Sequence, residues 1–274
     1  MRAPKIQDLL LLAVRAALAA GQEILDVYAG ADFGVETKAD LTPLTEADRR
    51  AHRAIRDGLA STGLPLLSEE GRPIPFEERR GWISFWLVDP LDGTKEFIKR
   101  NGEFTVNIAL ILDGTPVLGV VFAPALEIIY AAREGFGAYK IGKKSLASGE
   151  VGSEAIIAAG ERLPAPRKDG VYRIVASRSH MTPETLDYVE AQKAARGEVE
   201  LVSKGSSLKF CLVAEGSADV YPRFGPTMEW DTAAGHAVAA AAGCAVTQTD
   251  GASPLLYNKE NIRNPWFIVQ QPGS

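Results

Sequence analysis

Apolar residues recur at Ile6, Leu9, Leu10, Ala13, Val14 and Ala17, the spacing of one helix face, so residues 5–29 are predicted to form a helix that Gly30 ends. A second helix is predicted from near Thr45 through Arg49, Ile55 and Leu59 to the Ser61–Gly63 break. The period then changes. Leu64–Leu67 and Trp82–Val88 are short apolar runs of the kind that buried strands leave. Phe104–Leu112, Val117–Phe122, Ile128–Ala132 and Gly137–Ile141 follow as successive strands, with Asp113-Gly114 as a hairpin signal. Beyond the Gly- and Lys-rich stretch Gly142–Gly152, strands and helices alternate. Strands are predicted at Tyr172–Ala176, Glu198–Val202 and Ala218–Tyr221, and helices at Pro183–Ala195, Ser206–Glu215 and Asp231–Ala242. Two more strands, near Cys244–Thr247 and Trp266–Val269, close the chain. The pattern therefore predicts an α+β unit over residues 1–145 and an α/β unit over 146–274, with no internal repeat.

Composition adds limits rather than a function. With 274 residues, 46% hydrophobic and 24% charged, the chain can bury a large core. Its net charge of −5 gives no overall basic field, so nucleic acid is not an expected partner. The apolar run Leu9–Ala20 is broken by Arg15 and falls short of the roughly 20 residues a membrane span needs. No secretory signal or integral membrane segment is read there, and a cytoplasmic location is expected. Cys211 and Cys244 lie in apolar surroundings without a CxxC spacing, which fits buried free thiols in a reducing compartment. None of the three histidines, His52, His180 and His236, sits in a nucleophile motif.

Candidate chemistry is concentrated in acidic residues at element ends. The apolar strand ending at Val88 runs straight into Asp89-Pro90-Leu91-Asp92-Gly93-Thr94. Carboxylates at the mouth of a buried strand are costly unless a cation receives them, and oxygen-rich clusters suit Mg²⁺. Glu69-Glu70 follow another strand, Asp48 lies just inside a helix, and Asp231 follows Trp230 at a helix entrance. Singly, each has a plain structural reading. Thr45-x-x-Asp48 is a capping box, Asp231 complements a helix dipole, Glu69-Glu70 is a solvated loop, and Asp89 with Asp92 forms a turn. Jointly, four such coincidences point to a shared crevice.

Asp89-Pro90-Leu91-Asp92-Gly93-Thr94, together with Trp230-Asp231-x-Ala-Ala-Gly235, resembles the paired signatures of the inositol monophosphatase superfamily. Pro43-x-Thr45-x-x-Asp48 and Ser68-Glu69-Glu70 match two further family elements in the right order. Lys95–Ile108, Gly205–Cys211 and Tyr221–Thr227 are similar to its bacterial 3′(2′),5′-bisphosphate nucleotidase branch. The resemblance implies a layered αβαβα, sugar-phosphatase-like fold with two mixed sheets and an active site between its halves. It also implies a Mg²⁺-dependent, lithium-sensitive phosphatase that removes the 3′-phosphate of adenosine 3′,5′-bisphosphate, in the setting of sulfur assimilation. Two or three ions are implied, held by Glu70, Asp89, the Leu91 carbonyl, Asp92 and Asp231. Asp48 and Thr94 are implied to activate the attacking water. Gly93, Thr94, Arg178, Gly205, Ser206, Lys209, Arg223 and Asp231 are implied to bind the substrate, a small phosphorylated nucleotide.

A monomer is the expected state, with a dimer as the alternative, and peripheral attachment to the inner membrane is left open. Two other readings stand beside this one. Inositol monophosphatase or fructose-1,6-bisphosphatase activity would use the same acidic cluster with a smaller, more polar pocket. A non-catalytic regulatory protein could keep the scaffold without the chemistry.

Overall fold

The computed structural model describes residues 6–30, 33–37, 43–142, 156, 160–165, 169–178 and 181–274. Two helices, α1 (Ile6–Tyr28) and α2 (Glu46–Leu59), pack together and against a seven-stranded sheet. That sheet has the order β3 (Leu66–Ser68), β4 (Ser84–Asp92), β5 (Thr105–Leu112), β6 (Thr115–Ala123), β7 (Ile128–Arg133), β8 (Gly137–Gly142) and β9 (Gly160–Leu163). Only β3 and β4 run parallel; the other neighbours are antiparallel. A small hairpin, β1 (Glu36–Thr37) with β2 (Pro43–Leu44), precedes α2, and the short helix α3 (Phe76–Arg79) follows β3.

The second sheet has the order β11 (Val199–Lys204), β10 (Tyr172–Ser177), β12 (Val220–Arg223), β14 (Phe267–Gln270) and β13 (Ala245–Gln248). Its first three strands are parallel and its last two are antiparallel, so both sheets are mixed. Helix α5 (Pro183–Arg196) lies against β10, β11 and β12. Helices α6 (Leu208–Glu215) and α7 (Glu229–Ala241) fill the layer between the sheets. The order of layers is α, β, α, β, α, as the resemblance implies.

This layering explains why the strands of the first sheet are apolar at almost every position. On β4, Trp86 and Val88 enter the core under α1 and α2, while Phe85 and Leu87 enter the core shared with α6 and α7. Val106, Ile108 and Leu110 of β5 likewise oppose Ala109 and Ile111. Successive strand residues face opposite ways, and both faces are covered, so the two-residue alternation of hydrophobicity is lost.

The predicted elements form close to their predicted places, with three differences. The strand expected to end at Val88 continues through Asp92. Hairpin β1–β2 and helix α3 form where no element was predicted, because each is too short to leave a periodic signal. Strand β9 joins the first sheet although it follows the break expected at residue 145. Most of the Gly142–Gly152 stretch that suggested the break lies outside the described residues.

Contact between α7 and the first sheet depends on Gly119 of β6. A Cβ there would lie 2.4 Å from the Ala234 carbonyl oxygen and 2.7 Å from the Ala237 Cβ. Gly119→Ala is therefore expected to push the helix off the sheet and cost at least about 1–3 kcal/mol, read as a lower urea midpoint.

Candidate active site

The site begins with an irregularity in β4. On a regular strand, residues three apart face opposite sides of the sheet. Here Asp89 pairs with Asn107 and Asp92 with Thr105, so β4 takes up one extra residue between them. Both carboxylates thereby reach one cavity of about 320 Å³. Gly93 then turns the chain with φ +88°, and helix α4 (Thr94–Ile98) starts beside the cavity. A Cβ at Gly93 would come within 3.2 Å of the Glu103 carbonyl oxygen and 3.3 Å of the Ser206 Cβ, so the turn needs glycine twice over. Asp231 enters the same cavity from the first turn of α7, and Glu69 enters from the end of β3.

The carboxylates disturb one another. Burial raises Asp89 well above the usual carboxylate range, and the charges of Glu69, Asp92 and Asp231 raise it further. Asp231 is likewise raised well above it by burial, with Asp92 and Glu69 adding to the effect. Burial also raises Asp92, against the pull of the Lys209 ammonium and hydrogen bonds from Ser207 and Asn107. Each aspartate is held by a nearby donor. Asp89 accepts from the Leu91 N–H at 3.0 Å and Asp231 from the Met228 N–H at 2.8 Å. Asp92 accepts from the Ser207 hydroxyl at 3.1 Å and the Asn107 amide at 3.4 Å. Among the described residues, no three His, Cys, Asp or Glu side chains are already drawn into coordinating geometry.

Asp48 does two things at once. One carboxylate oxygen accepts from the Thr45 N–H at 2.7 Å, which caps α2. The other lies 3.4 Å from Thr94 Oγ1, itself 3.3 Å from the Leu91 carbonyl oxygen. A hydroxyl has one proton, so Thr94 can donate to only one of these acceptors and keeps lone pairs toward the cavity.

Two of the residues implied by the resemblance are placed differently. Glu69, not Glu70, lines the cavity with Asp89. The Glu70 charge acts instead on Arg49 and His52 of α2. The turn that follows β3 decides this: the Glu69 N–H still donates to the Val88 carbonyl at 3.1 Å, and the Gly71 N–H closes back on the Ser68 carbonyl at 3.0 Å, so the chain bends between the two glutamates and Gly71. Arg178 is not a cavity residue. Its guanidinium is forked on Glu103, with both contacts at 2.9 Å. Glu103, only 7% exposed, also accepts from the Gly205 N–H at 2.9 Å and from Lys204 at 3.3 Å. Arg178 thus neutralises the carboxylate that fixes the Gly205 backbone.

The remaining substrate-binding candidates do meet here. Gly205, Ser206, Lys209 and Arg223 all line the cavity. Gly205 has no room for a side chain, because a Cβ would sit 2.8 Å from the Glu103 carbonyl oxygen. The Lys209 ammonium is buried, donates to the Ser206 carbonyl, and is pulled down to about 8 by desolvation. Arg223 donates to the Pro226 carbonyl at 2.8 Å, while its Nε is buried without a hydrogen-bond partner.

Sequence reasoning missed Glu103, Asn107 and Ser207. Asn107 donates to the Ser207 hydroxyl at 2.9 Å, and Ser207 Oγ stands 2.8 Å from the Asp231 carbonyl, linking β5 to both helices of the middle layer. Asn107, a polar residue inside the apolar strand Phe104–Leu112, was the one available signal. The described histidines stay outside the cavity. His236 is buried against Tyr257 and lowered to about 4 by desolvation, and His52 contacts Ser68. His180 lies outside the described residues. Both cysteines are free and buried. Among the described residues, no helix is long and apolar enough to cross a membrane.

Two mixed sheets enclosing a helix layer, with an acidic cavity where strand ends meet helix starts, define the sugar-phosphatase class of layered α/β proteins. The chain belongs to the inositol monophosphatase family, which it matches over residues 5–267. The Escherichia coli K12 protein named 3′(2′),5′-bisphosphate nucleotidase CysQ is 50% identical over 254 residues, covering 91% of this chain and 94% of that protein. The protein of the same name in Haemophilus influenzae is 34% identical over 254 residues, covering 86% and 82%. The crystal structure of CysQ from Bacteroides thetaiotaomicron is similar with a TM-score of 0.91 at 53% identity, covering 98% of both chains.

Proposed function

We propose that this chain hydrolyses the 3′-phosphate of adenosine 3′,5′-bisphosphate, giving AMP and inorganic phosphate. The activity is that of a 3′(2′),5′-bisphosphate nucleotidase, a phosphoric monoester hydrolase. One observation carries this reading beyond the shared names. A single cavity gathers Glu69, Asp89, Asp92 and Asp231 with the cationic side chains of Lys209 and Arg223. A monophosphorylated sugar has no second phosphate for two fixed cations to hold.

The donor set fits Mg²⁺. Hard carboxylate oxygens that raise one another's pKa are relieved by a hard divalent cation. Glu69, Asp89, the Leu91 carbonyl, Asp92 and Asp231 would hold the ions, two or three in number, with Glu69 in the place first given to Glu70. Bound Mg²⁺ supplies an acidified water, neutralises the carboxylates and steadies the departing oxygen of an in-line displacement.

The chain's own residues do the rest. Thr94 Oγ1 accepts a proton of the attacking water and hands its own to Asp48, whose carboxylate it already faces. The first N–H groups of α4, from Thr94 and Lys95, have no intrahelical acceptor and can meet the oxygens of the scissile phosphate. Lys209 and the Arg223 fork hold the second phosphate, beside Ser206 and the Gly205 backbone. Every one of these groups comes from one chain, so a monomer suffices for the reaction. The free, buried thiols fit a reducing cytoplasm.

Phosphate release from adenosine 3′,5′-bisphosphate with Mg²⁺, set against inositol 1-phosphate, tests the assignment. Nucleotide turnover that needs Mg²⁺ and falls with added Li⁺ is expected. Faster hydrolysis of the inositol phosphate would overturn the substrate assignment, and no hydrolysis of either would revive the regulatory reading. Arg223→Ala is expected to raise the KM for the bisphosphate about 10-fold or more with kcat largely kept, because a buried charged hydrogen bond is lost in both ground and transition states. Steady-state kinetics at saturating Mg²⁺ checks this, and an unchanged KM would remove Arg223 from phosphate binding.

A further inference from the structure

Away from the cavity, two buried charges have no part in the chemistry described above. Arg79, at the end of α3, is 3% exposed, and Glu229, the first residue of α7, is fully buried. Both are used up on one segment of chain, residues 258–260. Arg79 donates to Asn258 Oδ1 at 2.8 Å, to the Lys259 carbonyl at 2.7 Å and to the Glu260 carbonyl at 2.9 Å. Asn258 returns a bond from Nδ2 to the Arg79 carbonyl at 2.8 Å. Glu229 accepts the N–H groups of Asn258 and Lys259 at 2.7 and 2.9 Å, and the Lys259 ammonium at 2.7 Å.

The result is a strap between two parts of the acidic cluster. On one side, α3 closes the loop that starts at Glu69. On the other, Glu229 opens the turn in which the Asp231 carboxylate accepts from the Met228 N–H. Asn264 strengthens the second attachment by donating to the Met228 carbonyl at 2.8 Å and the Thr232 hydroxyl at 3.0 Å. Apolar packing could anchor the segment without burying ions, whereas forked, charge-assisted bonds fix orientation.

We propose that Arg79 and Glu229 are positioning residues, which act through residues 258–260 to hold Asp231 in register with Glu69. This rests on the reading of those two carboxylates as Mg²⁺ ligands. Partners one step behind a ligand typically change metal affinity by about 10–100-fold when removed.

The test is Mg²⁺ binding by calorimetry to the full chain, with the KM for the bisphosphate measured at saturating Mg²⁺. Arg79→Met and Glu229→Ala are expected to weaken Mg²⁺ binding about 10-fold and to leave that KM unchanged. Glu229→Gln, which keeps an acceptor for the backbone N–H groups, is expected to recover most of the affinity. Lys259→Met removes the ammonium's contacts to Glu229, the Leu256 carbonyl and Asn264 Oδ1 but leaves the backbone bonds to Glu229, and it decides the matter if the larger changes prevent folding, with a smaller loss of affinity expected. Folded variants that bind Mg²⁺ like the parent would overturn the inference and leave the metal reading standing. Absence of Mg²⁺ binding by the parent chain would overturn both.

Discussion

Asp231→Asn is expected to cut turnover of adenosine 3′,5′-bisphosphate roughly 100-fold or more at saturating Mg²⁺, and at the same time to raise the Tm of the metal-free chain at pH 7. The two effects have one cause. Burial and the charges of Asp92 and Glu69 hold the Asp231 carboxyl well above its ordinary range in the folded chain. A group raised in this way adds stability below its unfolded pKa and loses it as pH climbs through the folded value. At pH 7, well above its unfolded pKa, the group therefore costs the fold stability in either protonation state, and a neutral amide of the same shape removes that cost. The Asn oxygen can still accept the Met228 N–H, so the helix start survives. The gain in Tm should shrink toward pH 4, where the parent is itself protonated. Asp92→Asn should lose activity similarly but gain less stability, since Asp92 also attracts the Lys209 ammonium. Melting curves with chelator at two pH values, beside steady-state kinetics, check both halves. Near-normal turnover in either variant would contradict the metal site.

The second large effect separates two neighbours. Glu69→Gln is expected to lower kcat by roughly 100-fold and to raise the Mg²⁺ needed for half-maximal rate, whereas Glu70→Gln should stay within about 3-fold of the parent. Glu69 shares the cavity with Asp89, Asp92 and Asp231. Glu70 acts on the Arg49 and His52 side of α2, where an amide can replace it at small cost. The reverse ranking would restore the assignment first drawn from the resemblance. It would also mean that the turn after β3 rearranges when the ions bind.

Much of this architecture was legible in the chain. The three-and-four spacing around Leu9–Ala17 marked α1, and Asp113-Gly114 marked the turn between β5 and β6. Such local signals survive because helix faces and hairpin turns are satisfied within a few residues. The short elements were not legible, since two residues at Pro43–Leu44 or four at Phe76–Arg79 cannot display a period. The partner of Arg178 was not legible, for a different reason. A basic residue closing a strand looks the same in sequence whether it faces a phosphate or a buried carboxylate 75 positions earlier.

By itself the sequence determined which residue types were available and where they fell along the elements: acids at strand ends and helix starts, glycine at the turn after Asp92, apolar residues on both faces of the first sheet. Only the tertiary structure decided which acids meet. A bulge opposite Asn107 and Thr105 turned Asp89 and Asp92 to the same side, and the turn closing β3 put Glu69 rather than Glu70 beside them. Side-chain direction in extended chain flips at every residue. One step of register, set by strands distant in sequence, therefore settles what no local pattern can.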